Sequence, residues 1–247
     1  FEGRLGYASP GDDPRKTWEW HPISEKGGWH RYSHGLGAGD VDGDGRNDFL
    51  MPEGWWKQPE KLGGVTTWTH HPFRFGEGGA TIWTDDVNGD GARDVITSLR
   101  GHGYGLSWFE QVRRDDGVAT FQEHRIMASD PKEAKGEPCF SQLHAVELAD
   151  IDGDGLQDIV TGKCYWAHNG ADPGARDPAV LYWFKLERKD GKARYVPHEI
   201  DNDSGTGRQV TVIDLDGDGK LDVICGNKKG VFVFHQRDPA ATAKRAE

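Results

Sequence analysis

Residues 40–48 read "DVDGDGRND", four aspartates and two glycines in nine residues, followed at once by the apolar Phe49-Leu50-Met51. Four carboxylates in one tight turn repel one another, and a divalent cation removes the conflict. The motif returns as "DVNGDGARD" (86–94), "DIDGDGLQD" (150–158) and "DLDGDGKLD" (214–222), with starts 46, 64 and 64 residues apart. Recurrence at such a spacing marks a repeat architecture. Oxygen side chains stand at positions 1, 3, 5 and 9, with a glycine at position 6 for the sharp turn. A backbone carbonyl at position 7 would complete a cage for a hard cation with about 6–8 oxygen ligands. The expected calcium ligands are Asp40, Asp42, Asp44 and Asp48; Asp86, Asn88, Asp90 and Asp94; Asp150, Asp152, Asp154 and Asp158; and Asp214, Asp216, Asp218 and Asp222, for about four ions.

An EF-hand needs a bidentate glutamate at position 12 and flanking helices. Position 12 here is Met51, Thr97, Thr161 and Cys225. The turns run into "DFLM", "DVIT", "DIVT" and "DVIC", and "AVEL" and "VTVI" precede the last two. These short runs rich in branched residues read as strands. Each turn therefore joins two strands of a hairpin.

A second motif, aromatic-x-x-His-x-apolar, keeps step with the first: Trp18–Ile23, Trp68–Phe73, Phe121–Ile126 and Tyr195–Ile200. Its repeated His21, His71, His124 and His198 read as scaffold residues with structural hydrogen bonds. A third strand type is "GLSWFEQV", "AVLYWFKLER" and "GVFVFHQR", whose Trp108 and Trp183 read as packing residues. Each unit thus runs strand A, aspartate turn, strand B, connection, strand C, turn, strand D. The fold class expected is all-β, a β-propeller of four-stranded antiparallel blades with calcium loops in the A–B turns.

"DVDGDG..D" followed by a strand and an aromatic-rich third strand resembles the FG-GAP/VCBS repeats of integrin-α-like calcium-binding β-propellers, over about residues 4–236. That resemblance implies calcium in the A–B turns. The longer connections are more loosely similar to bacterial propellers attached to sugar-active or haem-binding modules, and to the propeller of aldos-2-ulose dehydratase.

The expected organisation is a propeller over 1–236, with N-terminal strands in 1–33, repeats at 34–75, 76–127, 138–201 and 206–236, and a disordered tail at 237–247. The last repeat ends after its C strand, which the strand Trp18–Ile23 would complete in a closed four-blade ring. "RLGYASP" before it reads as an additional C strand, which is either peripheral or part of a ring of five or more blades.

At 247 residues, one large all-β domain or two small ones are available. The net charge of −11 is concentrated in the turns, which hold 15 of the 41 acidic residues; 26 acidic residues then face 30 basic ones. No basic stripe points to nucleic acid, and no apolar run is long enough to span a membrane. Cys139, Cys164 and Cys225 lack metal-ligand spacing and read as free thiols or one disulfide. The chain begins at Phe1, which reads as a processed end or a part of a longer parent chain with further domains.

In an A–B–C–D blade the A–B turns lie on one face and the D–A and B–C connections on the other, where a ligand would meet loops converging near the axis. Residues there that break the repeat are the site candidates, because scaffold residues recur. D–A connections supply His34, Gln142, His144 and Arg208; B–C connections supply Glu53, Trp55, Trp56, Arg100, His102, Lys163, Tyr165, Trp166, His168 and Lys228. His34, His102, His144 and His168 are candidates for an additional transition metal. Trp55, Trp56 and Trp166 offer flat faces for sugar rings, or pack as core. The Gly/Pro-rich "HNGADPGARDP" (168–178) is either a functional loop or an inert excursion.

Three function classes follow. The first is a calcium-stabilised extracytoplasmic module binding carbohydrate or protein through Glu53, Trp55, Trp56, Arg100, His102, Gln142, Trp166, His168, Arg208 and Lys228. The second is a sugar lyase or dehydratase, with His34, His144 or Tyr165 abstracting a proton and Lys163 or a metal stabilising the enolate. The third is an architectural spacer. Loops lacking the position-12 glutamate suit millimolar calcium, which places the protein in a secreted, periplasmic or cell-surface setting.

Overall fold

In the computed structural model, described for residues 3–62, 64, 67–113 and 119–237, the chain is all-β, with two single-turn 3-10 segments as its helical content. Strands β1 (Gly6–Ser9) and β2 (Glu19–Pro22) form a hairpin. Four meandering antiparallel sheets follow. The first is β3 (Gly37–Gly39), β4 (Asp48–Met51), β5 (Gly54–Lys57) and β6 (Thr69–Pro72). The second is β7 (Trp83–Asp85), β8 (Asp94–Ser98), β9 (Leu106–Arg113) and β10 (Ala119–Met127). The third is β11 (Val146–Ala149), β12 (Asp158–Gly162), β13 (Leu181–Lys189) and β14 (Lys192–Asp201). The last has three strands, β15 (Val210–Ile213), β16 (Asp222–Asn227) and β17 (Gly230–Phe234). These are propeller-like blades, each opening with an aspartate turn between its first two strands. The expected tail lies, apart from Arg237, outside the described residues.

Side-chain alternation along each strand builds the core. Neighbours on a strand point to opposite faces, so Val95 and Ile96 of β8 enter different clusters. Val95 joins Val41, Leu50, Trp55, Phe75 and Phe109 between the first and second blades. Ile96 joins Trp108, Leu143, Ile159, Phe184 and Leu186 between the second and third. Val160, beside Ile159, packs with Leu181, Val210 and Val223 between the third and fourth. A strand sandwiched in this way is buried on both faces, as β8 and β12 are throughout.

The tryptophans Trp55 and Trp56 obey the same alternation. Trp55 faces the second blade and Trp56 faces the N-terminal hairpin, with Ile23, Met51 and Trp68. Both are buried, and they stack on His71 and His70 with centroids 4.1 Å apart in each pair. Core packing is thus the role the structure gives them, not a ligand platform.

The repeated histidines behave alike. His21, His71, His124 and His198 lie directly across the ladder from Tyr7, Trp55, Trp108 and Trp183 and stack on them, at centroid separations of 4.8, 4.1, 4.3 and 4.6 Å. His21 and His124 add bonds to Ser9 Oγ and Glu110, each 2.7 Å. Cross-strand aromatic pairs of this kind are the unit of sheet stabilisation.

A polar device also repeats between blades. From the far end of a third strand, a side chain reaches the preceding blade and donates to the backbone carbonyl at position 2 of its aspartate turn. Gln111 Nε2 binds Val41 O at 2.7 Å, Arg188 Nε binds Val87 O at 2.9 Å and Gln236 Nε2 binds Ile151 O at 3.1 Å.

The N-terminal strand does not complete the last blade. β2 pairs with β1, and the hairpin packs on the first full blade, where Trp68 N donates to Ile23 O at 2.7 Å. The structure thus realises the additional C strand, as part of a partial blade preceding the first. At the other end Ile213, Leu215, Val231 and Val233 are exposed, whereas Val41 and Val87, the counterparts of Leu215, are buried. Cys139, Cys164 and Cys225 form no disulfide.

Candidate functional site

Each aspartate turn is organised by its own carboxylates. The position-1 aspartate accepts from the backbone N–H groups of positions 4 to 6, or of positions 5 and 6 in the third turn. In the first turn Asp40 receives Gly43, Asp44 and Gly45 at 2.9, 3.0 and 2.8 Å. Glycines at positions 4 and 6 take positive φ in all four turns, 77° and 85° at Gly43 and Gly45, a region that costs other residues strain. The position-9 aspartate is buried and holds two strands together. Asp48, Asp94, Asp158 and Asp222 each accept from the position-2 N–H through one oxygen, at 2.9–3.1 Å. Through the other they accept an N–H from the third strand or one of the two residues after it, Gln58, Gln111, Leu186 or Gln236, at 2.8–2.9 Å. Burial pushes the Asp48, Asp94 and Asp158 carboxyls up to about 6. One oxygen from each of Asp40, Asp42 and Asp48 lies within 4.8 Å of the others, as for Asp150, Asp152 and Asp158. An all-oxygen donor set of that density fits a hard cation.

The other set of connections brings four histidines together. His34 precedes β3, His102 links β8 to β9, His144 precedes β11 and His168 links β12 to β13. Their rings form a chain, with centroids 5.0 Å apart for His34–His102, 4.6 Å for His102–His144 and 4.3 Å for His102–His168. Hydrogen bonds sort the ring nitrogens. His102 Nδ1 lies 3.1 Å from Asp172 Oδ2, and His168 Nδ1 lies 3.2 Å from Asp172 Oδ1. His144 Nδ1 faces Gln142 O at 3.3 Å, and its buried Nε2 has no partner among the described residues. His102 Nε2 therefore turns to His34 Nε2, 3.4 Å away. Tetrahedral coordination at about 2.1 Å requires ligand nitrogens about 3.4 Å apart.

Burial favours the neutral form of His144 and His34. Burial brings His144 down to about 4 against the opposing bond from Gln142, with His102, His34 and Arg208 adding to the fall. Burial, then His102 and Arg208, lowers His34. Neutral imidazoles are the ligand form.

A cavity of about 650 Å³ opens beside the cluster, lined by His102, His144, Cys164, Tyr165, His168, Asn169, Arg208, Asn227 and Lys228. A second recess shares His34, His102, His168 and Arg208 with Tyr32. Positive φ at non-glycine residues gathers here: Gln142 (65°), Trp166 (54°), His168 (47°) and Asn169 (54°). Each such residue costs about 1–3 kcal/mol, and strain of this kind concentrates at functional sites.

Of the residues singled out in the sequence, His34, His102, His144, Tyr165, His168, Arg208 and Lys228 thus share one site. Trp166 borders it, with its carbonyl accepting from Lys228 Nζ at 2.7 Å and Arg176 over its ring. Glu53 lies in a neighbouring recess with His34 and Glu77. Arg100 is tied to Glu77 at 2.8 Å. Gln142 and Lys163 are wholly buried, and neither side chain's polar atoms have a partner among the described residues. Trp55 and Trp56 belong to the core. Sequence reasoning missed Asp172, Cys164, Asn169 and Asn227. Asp172 was the most accessible of these, standing four residues after His168 in the 168–178 excursion.

Residues 150–225 match the family model described as FG-GAP-like repeat, a segment holding the third and fourth aspartate turns. Comparison with curated proteins gave no match. No helix among the described residues is long and apolar enough to cross a membrane. The chain is thus an all-β protein of propeller-like blades that carries an FG-GAP-like repeat over residues 150–225.

Proposed function

We propose that this protein is an extracytoplasmic binding module in which cations brace the aspartate turns and the opposite face captures carbohydrate through a metal. His34, His102 and His144 would hold a divalent transition ion such as zinc. Asp172 orients His102 as carboxylates commonly orient metal-binding imidazoles. Three histidines leave a fourth position open to a ligand oxygen. Arg208 and Lys228 favour an oxygen-rich or anionic group there, and Tyr165, Asn169 and Asn227 supply hydrogen bonds to hydroxyls. The observation carrying this reading is the convergence of three imidazole nitrogens within 4.8 Å from three separate connections.

A sugar lyase or dehydratase is the second reading. It is favoured by Tyr165, a proton-transfer group that lines the same cavity and is not one of the metal-holding residues. The test is metal analysis of protein purified without chelator, followed by zinc titration. About one transition ion per chain is expected, lost in His102→Ala and His144→Ala. Failure of zinc, nickel, copper, iron(II) and manganese alike to bind would end both readings of this site. Sugar binding by the metal-loaded protein without turnover supports the module, and release of an eliminated product supports the enzyme.

A further inference from the structure

The four aspartate turns look interchangeable in sequence, yet one position outside them sets them apart. The residue directly across the ladder from the position-9 aspartate is Lys57 in the first blade, Glu110 in the second, Lys185 in the third and His235 just after β17 in the fourth. The pairings Phe49–Trp56, Val95–Phe109, Ile159–Phe184 and Val223–Phe234 fix this equivalence, since each lies one step further along.

The side chains at this position lean over the carboxylates. Lys57 Nζ contacts Asp42 and lies 2.8 Å from Asp44. Lys185 Nζ contacts Asp152 and lies 2.7 Å from Asp154. His235 Nδ1 lies 3.2 Å from Asp222 and 3.5 Å from Asp216. The first turn carries a second cation, as Arg46 pairs with Asp44. In the second blade the sign reverses. Glu110 Oε1 accepts from Asn88 Nδ2 at 3.1 Å and brings a fourth carboxylate to a turn whose third position is the neutral Asn88, while its Oε2 pairs with His124 at 2.7 Å. The arginine that approaches this turn, Arg188, binds the backbone carbonyls of Asp86 and Val87.

We infer that the turns are a graded set: Lys57 and Lys185 act as tethered counter-cations that brace the first and third turns without calcium, and the second turn, with Glu110, is the chain's principal calcium site. In the first and third turns a divalent ion would therefore have to displace a lysine before the carboxylates could close around it.

Two magnitudes decide it. A group tethered by a short linker competes at an effective concentration of order mM or more. Turns of this type bind calcium with dissociation constants of about 10⁻⁴–10⁻³ M. Calcium entering the first or third turn must displace an ammonium held against two of its carboxylates, so its apparent affinity there falls below the intrinsic one. The second turn, counting Glu110, matches those turns with four carboxylates and has no lysine held against them, and ligand charge count tunes calcium affinity. The inference rests on reading the turns as cation cages, and the test separates the two.

Calcium titration of the whole chain by calorimetry, with ions counted by native mass spectrometry, is combined with hydrogen exchange before and after chelation. The expected result is a tight class that Glu110→Gln weakens by about tenfold. Chelation should deprotect residues 86–94 well before 40–48 and 150–158. The double variant Lys57→Gln, Lys185→Gln should gain calcium ions and become chelator-sensitive in the first and third turns. Four equivalent sites unaffected by these substitutions would overturn the grading while leaving the cages standing. Absence of calcium binding in both the wild type and the double variant would remove the cages, and the grading with them.

Discussion

Gln111 is the best place to perturb the seam between blades. It is buried in the second blade, and its Nε2 donates to Val41 O of the first blade at 2.7 Å and to Arg93 O at 2.8 Å. Gln111→Glu keeps the shape and replaces that donor group by a carboxylate oxygen facing two carbonyl oxygens. An unpaired buried charge costs about 3–5 kcal/mol. Protonation limits the loss: an introduced carboxyl with an ordinary value of about 4.3 can be neutralised at pH 7.5 for roughly 4 kcal/mol, at 1.36 kcal/mol per unit. The neutral acid still donates one bond of the original two, so about 1 kcal/mol remains lost at any pH. The sign follows from linkage. Folding raises the introduced group's value, so the folded state binds the extra proton, and the variant gains stability relative to wild type as pH falls towards 4–5. Near pH 8 the deficit should be about 4 kcal/mol, or a melting temperature lower by roughly 8–16 °C for a chain of this size. Urea unfolding of both proteins at pH 8 and pH 5, in chelator throughout, measures it. A deficit below about 1 kcal/mol at pH 8, or one independent of pH, would show that Gln111 does not clamp a dry interface.

Chelation of the wild type should lower its melting temperature, because an ion held only by the folded state stabilises it by mass action; an unchanged curve contradicts the cages. Lys163→Met should raise stability by about 1–3 kcal/mol in urea unfolding, since the Lys163 amine is wholly buried with no partner among the described residues and burial lowers its proton affinity. A fall in stability would mean that Lys163 is satisfied in the folded protein. His198→Ala should cost about 0.5–1.5 kcal/mol through loss of its stack on Trp183, at 4.6 Å, with zinc affinity unchanged. A loss of zinc binding in this variant would place the metal elsewhere.

Legibility in the sequence tracked locality. The aspartate turns and their flanking strands could be read because each motif is completed within about a dozen residues, by a carboxylate accepting from N–H groups a few positions on. The strand order followed from repetition. The symmetry-breaking histidines could be named, but not shown to meet, because His34 and His102 are 68 residues apart and become neighbours only when successive blades stack. Whether Trp55 and Trp56 were ligand platforms or core could not be read from the sequence, because exposure is set by the blade on either side, which their own strand does not specify. The N-terminal strands could be recognised but not assigned to a blade for a similar reason: which sheet a lone strand joins depends on free edges elsewhere.

The sequence by itself thus determined the repeat, the hairpin turns and the sidedness of the loops, all consequences of short-range hydrogen bonding and alternation. Tertiary structure alone decided which imidazole nitrogens face one another and that Asp172 orients two of the rings. It also decided that Lys57, Glu110, Lys185 and His235 reach the turns. Those outcomes depend on cross-strand register and blade packing, where ångström distances between residues far apart in the chain select the chemistry.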